Sequence, residues 1–498
     1  MKFTKILSSA LIVAAFAGAD AFADSPKREF RGAWMHTVGQ KQYRMPTDSL
    51  KKYLVDQLDR LQASGVNAVL FQVRPSADAL YVSELEPWSR FLTADGKAPE
   101  PFWDPLEFMI KETHGRGMEL HAWLNPYRVT TSKDEKLPKN HLFHKEPGRF
   151  VDYADGKKYF DPGLPENRKF ITDVVMDIVD RYDVDGIHFD DYFYPYPVEG
   201  ADFPDSLSYA KYGNGMNRGD WRRKNVDLLI MDIHNAISTS DKPWVRFGVS
   251  PFGIWRNKAS DPRGSDTNGL QNYDALYADV LLWDKEGWVD YIIPQLYWEL
   301  EHPRASTLTL ADWWNNAGLR HHLYIGQDIH NIMTHADLAP STNPTQLDHK
   351  IDISRKAENI QGNCWWPGYA ITSDFKGVAD SLAANQQRHV ALVPEYDWID
   401  SQTPASVKVT FAPDKNSLEW DKPAPKGSVH DAVRYVVYRF DTDNTCPDYN
   451  NPANIVAITD ESCFAVSTPG KYAVRALNRV NKEGEPGNFA VCTPKTEK

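Results

Sequence analysis

A chain of 498 residues, 42% hydrophobic and 25% charged, is long enough for two cores and has the composition of neither a disordered nor a membrane protein. Its net charge of -12 argues against bare nucleic acid as a partner, since that affinity rests on neutralising phosphates. Four cysteines are too few for a disulfide scaffold, and none has metal-ligand spacing. Cys364 reads as a buried thiol, and one bridge among Cys446, Cys463 and Cys492 would suit an oxidising compartment.

Residues 1–23 read as a Sec signal peptide: Lys2 and Lys5 start it, residues 6–16 are apolar, and Ala21-Phe22-Ala23 offers a small-residue cleavage site. The apolar run is too short to span a bilayer, and no cysteine lies beside the cleavage site to carry a lipid. The mature chain is therefore expected from near Asp24, in a periplasm or outside the cell, neither lipid-anchored nor inserted in a membrane.

Buried-strand text then alternates with helix-period text. Strands are expected over 29–36, 67–75, 119–128, 186–190, 246–255, 290–299, 322–330 and 362–370. Helices are expected up to Leu61 and over 105–114, 166–182, 220–238, 273–285, 310–317, 345–359 and 377–385. Such strands, apolar on both faces, belong to a parallel sheet, and eight strand–helix units close into a (β/α)8 TIM barrel of the α/β class. Connections entering strands are short (64–66, 115–118, 183–185, 287–289), while those leaving them are long (129–163, 192–219, 256–270). The elaborated face is the strand C-terminal one, where this fold keeps its active sites. A doubly wound open sheet is the competitor, but no Gly-rich phosphate loop follows the first strand. The barrel is assigned to 24–395.

Residues 396–498 hold a linker and a small all-β sandwich, with alternating strands at 417–421, 433–440 and 471–477. Leu418-Glu419-Trp420, Tyr435-Val436-Val437-Tyr438 and 472–478 resemble the core-tryptophan, middle and tyrosine-corner strands of a fibronectin type III module.

The chemistry is expected around Asp185-Gly186-Ile187-His188-Phe189-Asp190-Asp191-Tyr192-Phe193-Tyr194-Pro195, where a buried strand delivers two adjacent carboxylates to an aromatic loop. Strand alternation places His188 and Asp190 inside the barrel and Phe189 outside. The bland reading makes the two acids partners of nearby arginines or a helix cap. Glycoside hydrolysis needs a proton donor and a second carboxylate across the scissile bond, about 5–5.5 Å apart for retention and 6.5–9.5 Å for inversion. Neighbouring acids do not easily straddle one bond, so Glu299 is expected as a third catalytic carboxylate beside Asp190 and Asp191. Its own bland reading is a surface loop acid, and Glu301 and Asp328 are weaker candidates. His36, Gln72, Arg74, His121, Asn125, His188, Tyr192, Ser250, Gln295, Tyr297 and Gln327 are the polar groups expected to meet a sugar's hydroxyl and acetamido groups. Trp123, Trp298 and Trp366, with Trp255 and Trp365, are expected as walls.

Five separated stretches carry a family resemblance: 29–34 (EFRGAW), 71–75 (FQVRP), 122–128 (AWLNPYR), 186–195 and 293–298 (IPQLYW). Across 28–388 they resemble the glycosyl hydrolase-like 10 family. That resemblance implies a (β/α)8 barrel in secreted bacterial proteins implicated in cleaving peptidoglycan strands stripped of stem peptides. Asp190 and Asp191 match the family's acidic motif, whereas Glu299 comes from strand geometry alone. Residues 185–190 also faintly resemble the fourth-strand motif of family 18 chitinases, in which the substrate's acetamido group assists, but Tyr192 stands where that motif has glutamic acid. The expectation is a cofactor- and metal-free secreted glycoside hydrolase acting on a cell-wall glycan polymer, denuded peptidoglycan first. Another polysaccharide, a non-catalytic wall-binding protein, and a metal-dependent deacetylase using His188, Asp190, Asp191 and His121 are the rivals.

Overall fold

The computed structural model describes residues 25–338 and 344–495; the expected signal peptide lies outside them. Eight parallel strands form one sheet: β1 (Phe30–Met35), β2 (Ala68–Arg74), β3 (Glu119–Leu124), β4 (Gly186–Phe189), β5 (Arg246–Val249), β6 (Tyr291–Ile292), β7 (His322–Leu323 continuing as Ile325–Asp328) and β8 (Gly362–Trp366). Each pairs with the next, and β8 returns to β1 with Gly362 opposite Phe30. The two segments of β7 flank Tyr324; the first pairs with β6 and the second with β8, so the ring closes there.

One principal helix follows each strand: α1 (Thr47–Ala63), α2 (Pro105–His114), α3 (Pro165–Arg181), α4 (Arg218–Ser238), α5 (Val280–Lys285), α6 (Thr307–Asn315), α7 (Leu347–Lys356) and α8 (Val378–Ala384). Their ends are written locally. Asp104 accepts from the amides of Leu106 and Glu107 at 2.9 and 3.1 Å, with Pro105 in the first turn, and Asn217 caps α4 through Asp220 N. On α1, Leu50, Leu54, Leu58 and Leu61 form the buried stripe that faces the barrel.

Several strands end earlier than their apolar text. The strands expected over 119–128, 246–255, 290–299 and 362–370 stop at Leu124, Val249, Ile292 and Trp366. Pro126, Pro251, Pro294 and Pro367 follow within two residues, and a proline has no N–H to give the ladder. The chain therefore leaves the sheet at the strand C-terminal face, where the long loops 125–164, 190–217 and 250–279 lie.

The C-terminal residues form two antiparallel sheets. One orders β9 (Val409–Ala412), β10 (Ser417–Trp420) and β13 (Cys463–Ala465); the other orders β12 (Ile455–Thr459), β11 (Arg434–Phe440), β14 (Gly470–Leu477) and β15 (Ala490–Cys492). Leu418, Trp420, Tyr435, Val437, Tyr472 and Val474 fill the space between them. The Tyr472 hydroxyl donates to Thr468 O at 2.8 Å, tying its strand to the preceding loop. The bridge expected among the three C-terminal cysteines does not form: Cys492 is buried in β15, while Cys446 and Cys463 are exposed and free.

This module is bolted to the barrel floor, the N-terminal end of the strands. Glu119 at the start of β3 meets Arg246 from β5 at 2.5 Å, Arg434 from β11 at 3.1 Å and Asn481 at 2.9 Å. Asp185 adds its carboxylate to Arg434 at 3.5 Å and to His114 at 2.8 Å. Burial alone would raise the Glu119 pKa, but Arg246, His121 and Arg434 outweigh it and hold the carboxyl down at about 2. Breaking a buried pair strands its partner, at a cost of about 3 kcal/mol or more. Arg434→Met is expected to cost about that much in urea denaturation at pH 7; an unchanged midpoint would show that the module is held by other contacts.

Candidate active site

Just past β4, Asp190 and Asp191 sit 4% and 3% exposed at the base of an open pocket of about 440 Å³. Trp34, Trp123, Tyr192, Gln295, Tyr297 and Trp366 complete its lining. These side chains come from the ends of β1, β3, β8 and the loops after β4 and β6, so the barrel's closure brings them together. The two acids point to different partners. Asp190 Oδ2 accepts from Asn125 Nδ2 at 2.6 Å and from the indole of Trp123 at 3.2 Å, and its Oδ1 accepts from the Tyr192 amide at 3.3 Å. Asp191 accepts from the Tyr196 hydroxyl and from Gln295 Nε2, the latter at 3.3 Å; Gln295 is steadied by Ser250 O and Oγ at 3.2 Å.

Asp190 is oriented from behind. The amides of Thr37 and Val38 donate to Gln72 Oε1 at 2.9 and 3.3 Å, Gln72 Nε2 donates to Asn125 Oδ1 at 2.9 Å, and Asn125 donates to Asp190. Gln72 and Asn125, expected to touch substrate, are buried positioning residues instead.

Burial and the neighbouring Asp191 charge push the Asp190 carboxyl up to about 7; Arg128 and Asn125 offset part of that. Burial raises Asp191 as well, against the pull of Tyr196 and Gln295. Near neutrality Asp190 is therefore available in both its protonated and its ionised form, as a proton-transfer group requires.

Other expected site residues lie elsewhere. His121 and His188 form an internal layer beneath the pocket. Trp34 Nε1–H donates to His188 Nε2 at 3.1 Å, so the His188 proton is on Nδ1, facing the Tyr291 hydroxyl at 3.2 Å. That hydroxyl is 2.8 Å from His121 Nδ1, and His121 Nε2 is 3.1 Å from Glu119. With all four imidazole nitrogens so engaged, these histidines have none left for a metal. Among the described residues no group of three or more His, Cys, Asp or Glu side chains is placed to hold a metal ion. Arg74 is fully buried, doubly bonded to Glu86 at 2.5 and 2.7 Å and to the carbonyl of Asn125 at 2.6 Å, and so is a scaffold ion pair. Gln327 is buried against Asn363 at 3.1 Å. His36 packs at a tilt against Trp366 and Tyr369 and lines a separate small groove, its pKa lowered by burial to about 4. Trp298 packs on Phe252 at the rim.

Glu299 is the main correction. Its carboxylate pairs with His335 at 3.2 Å on the loop after β6 and does not line the pocket, whose two carboxylates are Asp190 and Asp191. Pro294 ends the ladder before Glu299, so strand alternation no longer sets where that side chain points. Trp34 was missed as a wall because its strand reads as uniformly buried core.

The raised Asp190 pKa has a stability consequence. Its folded value of about 7 exceeds the ordinary 3.8, so the folded state binds the proton more tightly than the unfolded chain. Stability is full below about pH 4 and falls as pH rises through about 7, by at most ~4 kcal/mol. Asp190→Asn removes that loss. Its denaturation midpoint relative to wild type is expected to rise between pH 4 and pH 8; a pH-independent difference would place the Asp190 proton elsewhere.

The chain is similar in sequence to known proteins. The sequence profile of the glycosyl hydrolase-like 10 family matches residues 29–341. Glycosyl hydrolase YngK of Bacillus subtilis is 40% identical over 427 residues, covering 83% of each chain. Glycosyl hydrolase DigH of Escherichia coli K12 is 37% identical over 371 residues, covering 69% of this chain and 83% of its own. The glycoside hydrolase domain of PgaB (BpsB) from Bordetella bronchiseptica aligns with a TM-score of 0.48 at 12% identity, over 72% of this chain and 98% of that domain. The chain belongs to the glycosyl hydrolase-like 10 family and is one of its barrel glycosidases.

Proposed function

We propose that the protein is exported and cleaves O-glycosyl bonds in a bacterial cell-wall glycan, denuded peptidoglycan first, through Asp190 and Asp191. The observation that carries the reading is the placement of two buried carboxylates, Asp190 and Asp191, in one tryptophan-walled pocket. The substrate class rests on the family resemblance and on aromatic walls suited to sugar rings. In this reading residues 24–395 are the catalytic barrel and 396–498 a linker and a fibronectin type III-like module, an assignment favoured by the three- and four-stranded sheets and the Tyr472 corner.

Asp190, protonated, gives its proton to the glycosidic oxygen as the bond to the anomeric carbon breaks. Asp191 stays ionised under Tyr196 and Gln295. With no third carboxylate lining the pocket, the acetamido oxygen of the substrate attacks the anomeric carbon, and Asp191 accepts from the acetamido N–H and balances the oxazolinium charge. Asp190, now the base, takes a proton from the water that opens this intermediate. The anomeric configuration is retained.

Mass spectrometry of products from peptide-free peptidoglycan tests the reading. The wild type is expected to release oligosaccharides, and Asp190→Asn and Asp191→Asn to slow release by about 10²–10⁴-fold. An aryl glycoside with a good leaving group is expected to restore turnover in Asp190→Asn but not in Asp191→Asn. Chemical removal of N-acetyl groups is expected to abolish cleavage; unimpaired cleavage would sink substrate assistance. Binding without release by the wild type would favour the adhesive reading.

A further inference from the structure

Arg128 stands beside the acid pair, and its hydrogen bonds leave part of it unused. It ends the stretch after β3, where Nε donates to Pro75 O at 3.0 Å and Nη2 donates to Asn125 Oδ1 at 3.0 Å. The guanidinium lies over the ring of Tyr192, a pocket-lining residue, at 5.1 Å. Nη1 has no hydrogen-bond partner among the described residues, and the side chain is half-buried. Arg74, a nearby arginine, is closed off by Glu86 and backbone carbonyls. An arginine fixed by two hydrogen bonds and an aromatic face, with one nitrogen free, is preorganised for an anion.

The charge count points the same way. Two carboxylates line the pocket, and any negative charge on them would by itself repel an anionic sugar. Arg128 cancels that charge, and Nη1 offers the anion a place to bind.

We infer that Arg128 is a specificity residue that receives a carboxylate carried by the sugar bound in the pocket that Tyr192 lines. This deepens the glycosidase reading and rests on it: in a peptide-free peptidoglycan strand, the lactyl ether of N-acetylmuramic acid bears a free carboxylate, whereas an attached stem peptide converts it to an amide. Arg128 thereby selects the stripped strand by charge, held in place by the Tyr192 ring it covers.

The test compares three substrates: a peptide-free N-acetylglucosaminyl–N-acetylmuramyl oligosaccharide, the same compound with its lactyl carboxyls methyl-esterified, and a chitooligosaccharide of equal length. The readout is the ratio of kcat/KM for the free acid to that for the ester, because Arg128 also steadies Asn125 and its loss will lower turnover on every substrate. Wild type is expected to favour the free acid by about tenfold or more. Arg128→Gln is expected to bring the ratio close to one, and Arg128→Lys, which keeps the charge, to retain part of it. A wild type indifferent to esterification would overturn the inference. So would an Arg128→Gln enzyme that slows equally on acid and ester while its pH profile shifts, since Arg128 would then act only on the aspartates. A wild type that cleaves none of the three would remove the glycosidase reading and this inference with it.

Discussion

An ionised Glu119 on the barrel floor sets the direction of a hydrogen-bond line that ends in the wall of the pocket. A carboxylate only accepts, so His121 must present Nε2–H to it and turn a bare Nδ1 upward. The Tyr291 hydroxyl donates to that nitrogen and is left to accept from His188 Nδ1–H, and His188 Nε2 accepts from the indole of Trp34. Each donor is assigned by the one below it. Burial holds His188 well below its ordinary pKa, so that ring is neutral beneath the aromatic wall at the mouth. Because these rings fill the barrel's interior, the position of Trp34 is fixed by packing and by hydrogen bonding together.

The two ends of that barrel treat carboxylates in opposite ways. At the floor, Glu119 and Asp185 are matched by Arg246 and Arg434, and both carboxyls stay far below their ordinary range. At the mouth, Asp190 and Asp191 are just as buried, but beside them lie neutral amides, an indole and a phenol, with Arg128 alone bringing a positive charge. Hydrogen bonds from neutral donors fix their direction without removing the desolvation penalty, so their pKa values rise. Compensated acids hold domains together, and uncompensated ones keep a proton available at neutral pH. Two acids of one fold reach pKa values of about 2 and about 7 by this difference in partners.

The barrel was legible because its signals are local and repeated: buried apolar strands, amphipathic helices with capping residues, and long loops confined to one face. The acid pair was legible for the same reason, since strand alternation carries as far as the last ladder residue and Asp190 directly follows it. Glu299 was not, because beyond Pro294 the ladder gives way to single bridges and periodicity loses its meaning. Gln72, Asn125 and Arg74 were recognised as polar groups at strand ends, but the sequence does not show whether such a group faces the cavity or a neighbour. Arg74 found Glu86 and Gln72 found Asn125, both through contacts between different strands and loops. The floor network was invisible for a further reason: Glu119 and Arg434 are 315 residues apart and belong to different modules.

A pocket that holds Asp190 ionised above pH 7 works against folding, and the cost must be offset by parts of the molecule that take no part in chemistry. The floor is well placed to do so. It joins Glu119, Arg246, Arg434 and Asn481 where the strands begin, and the indole-to-carboxylate line passes from there to Trp34. The C-terminal module then has a role that needs no ligand of its own, since its arginine joins Arg246 and His114 in keeping Glu119 and Asp185 ionised in the dry interior. A barrel lacking Arg434 would leave two buried carboxylates facing Arg246 and the adjacent histidines. In that state Glu119 would gain reason to take up a proton, become a donor, and oppose the His121 proton it now receives. The direction of the whole line, up to the tryptophan beside Asp190, depends on that not happening.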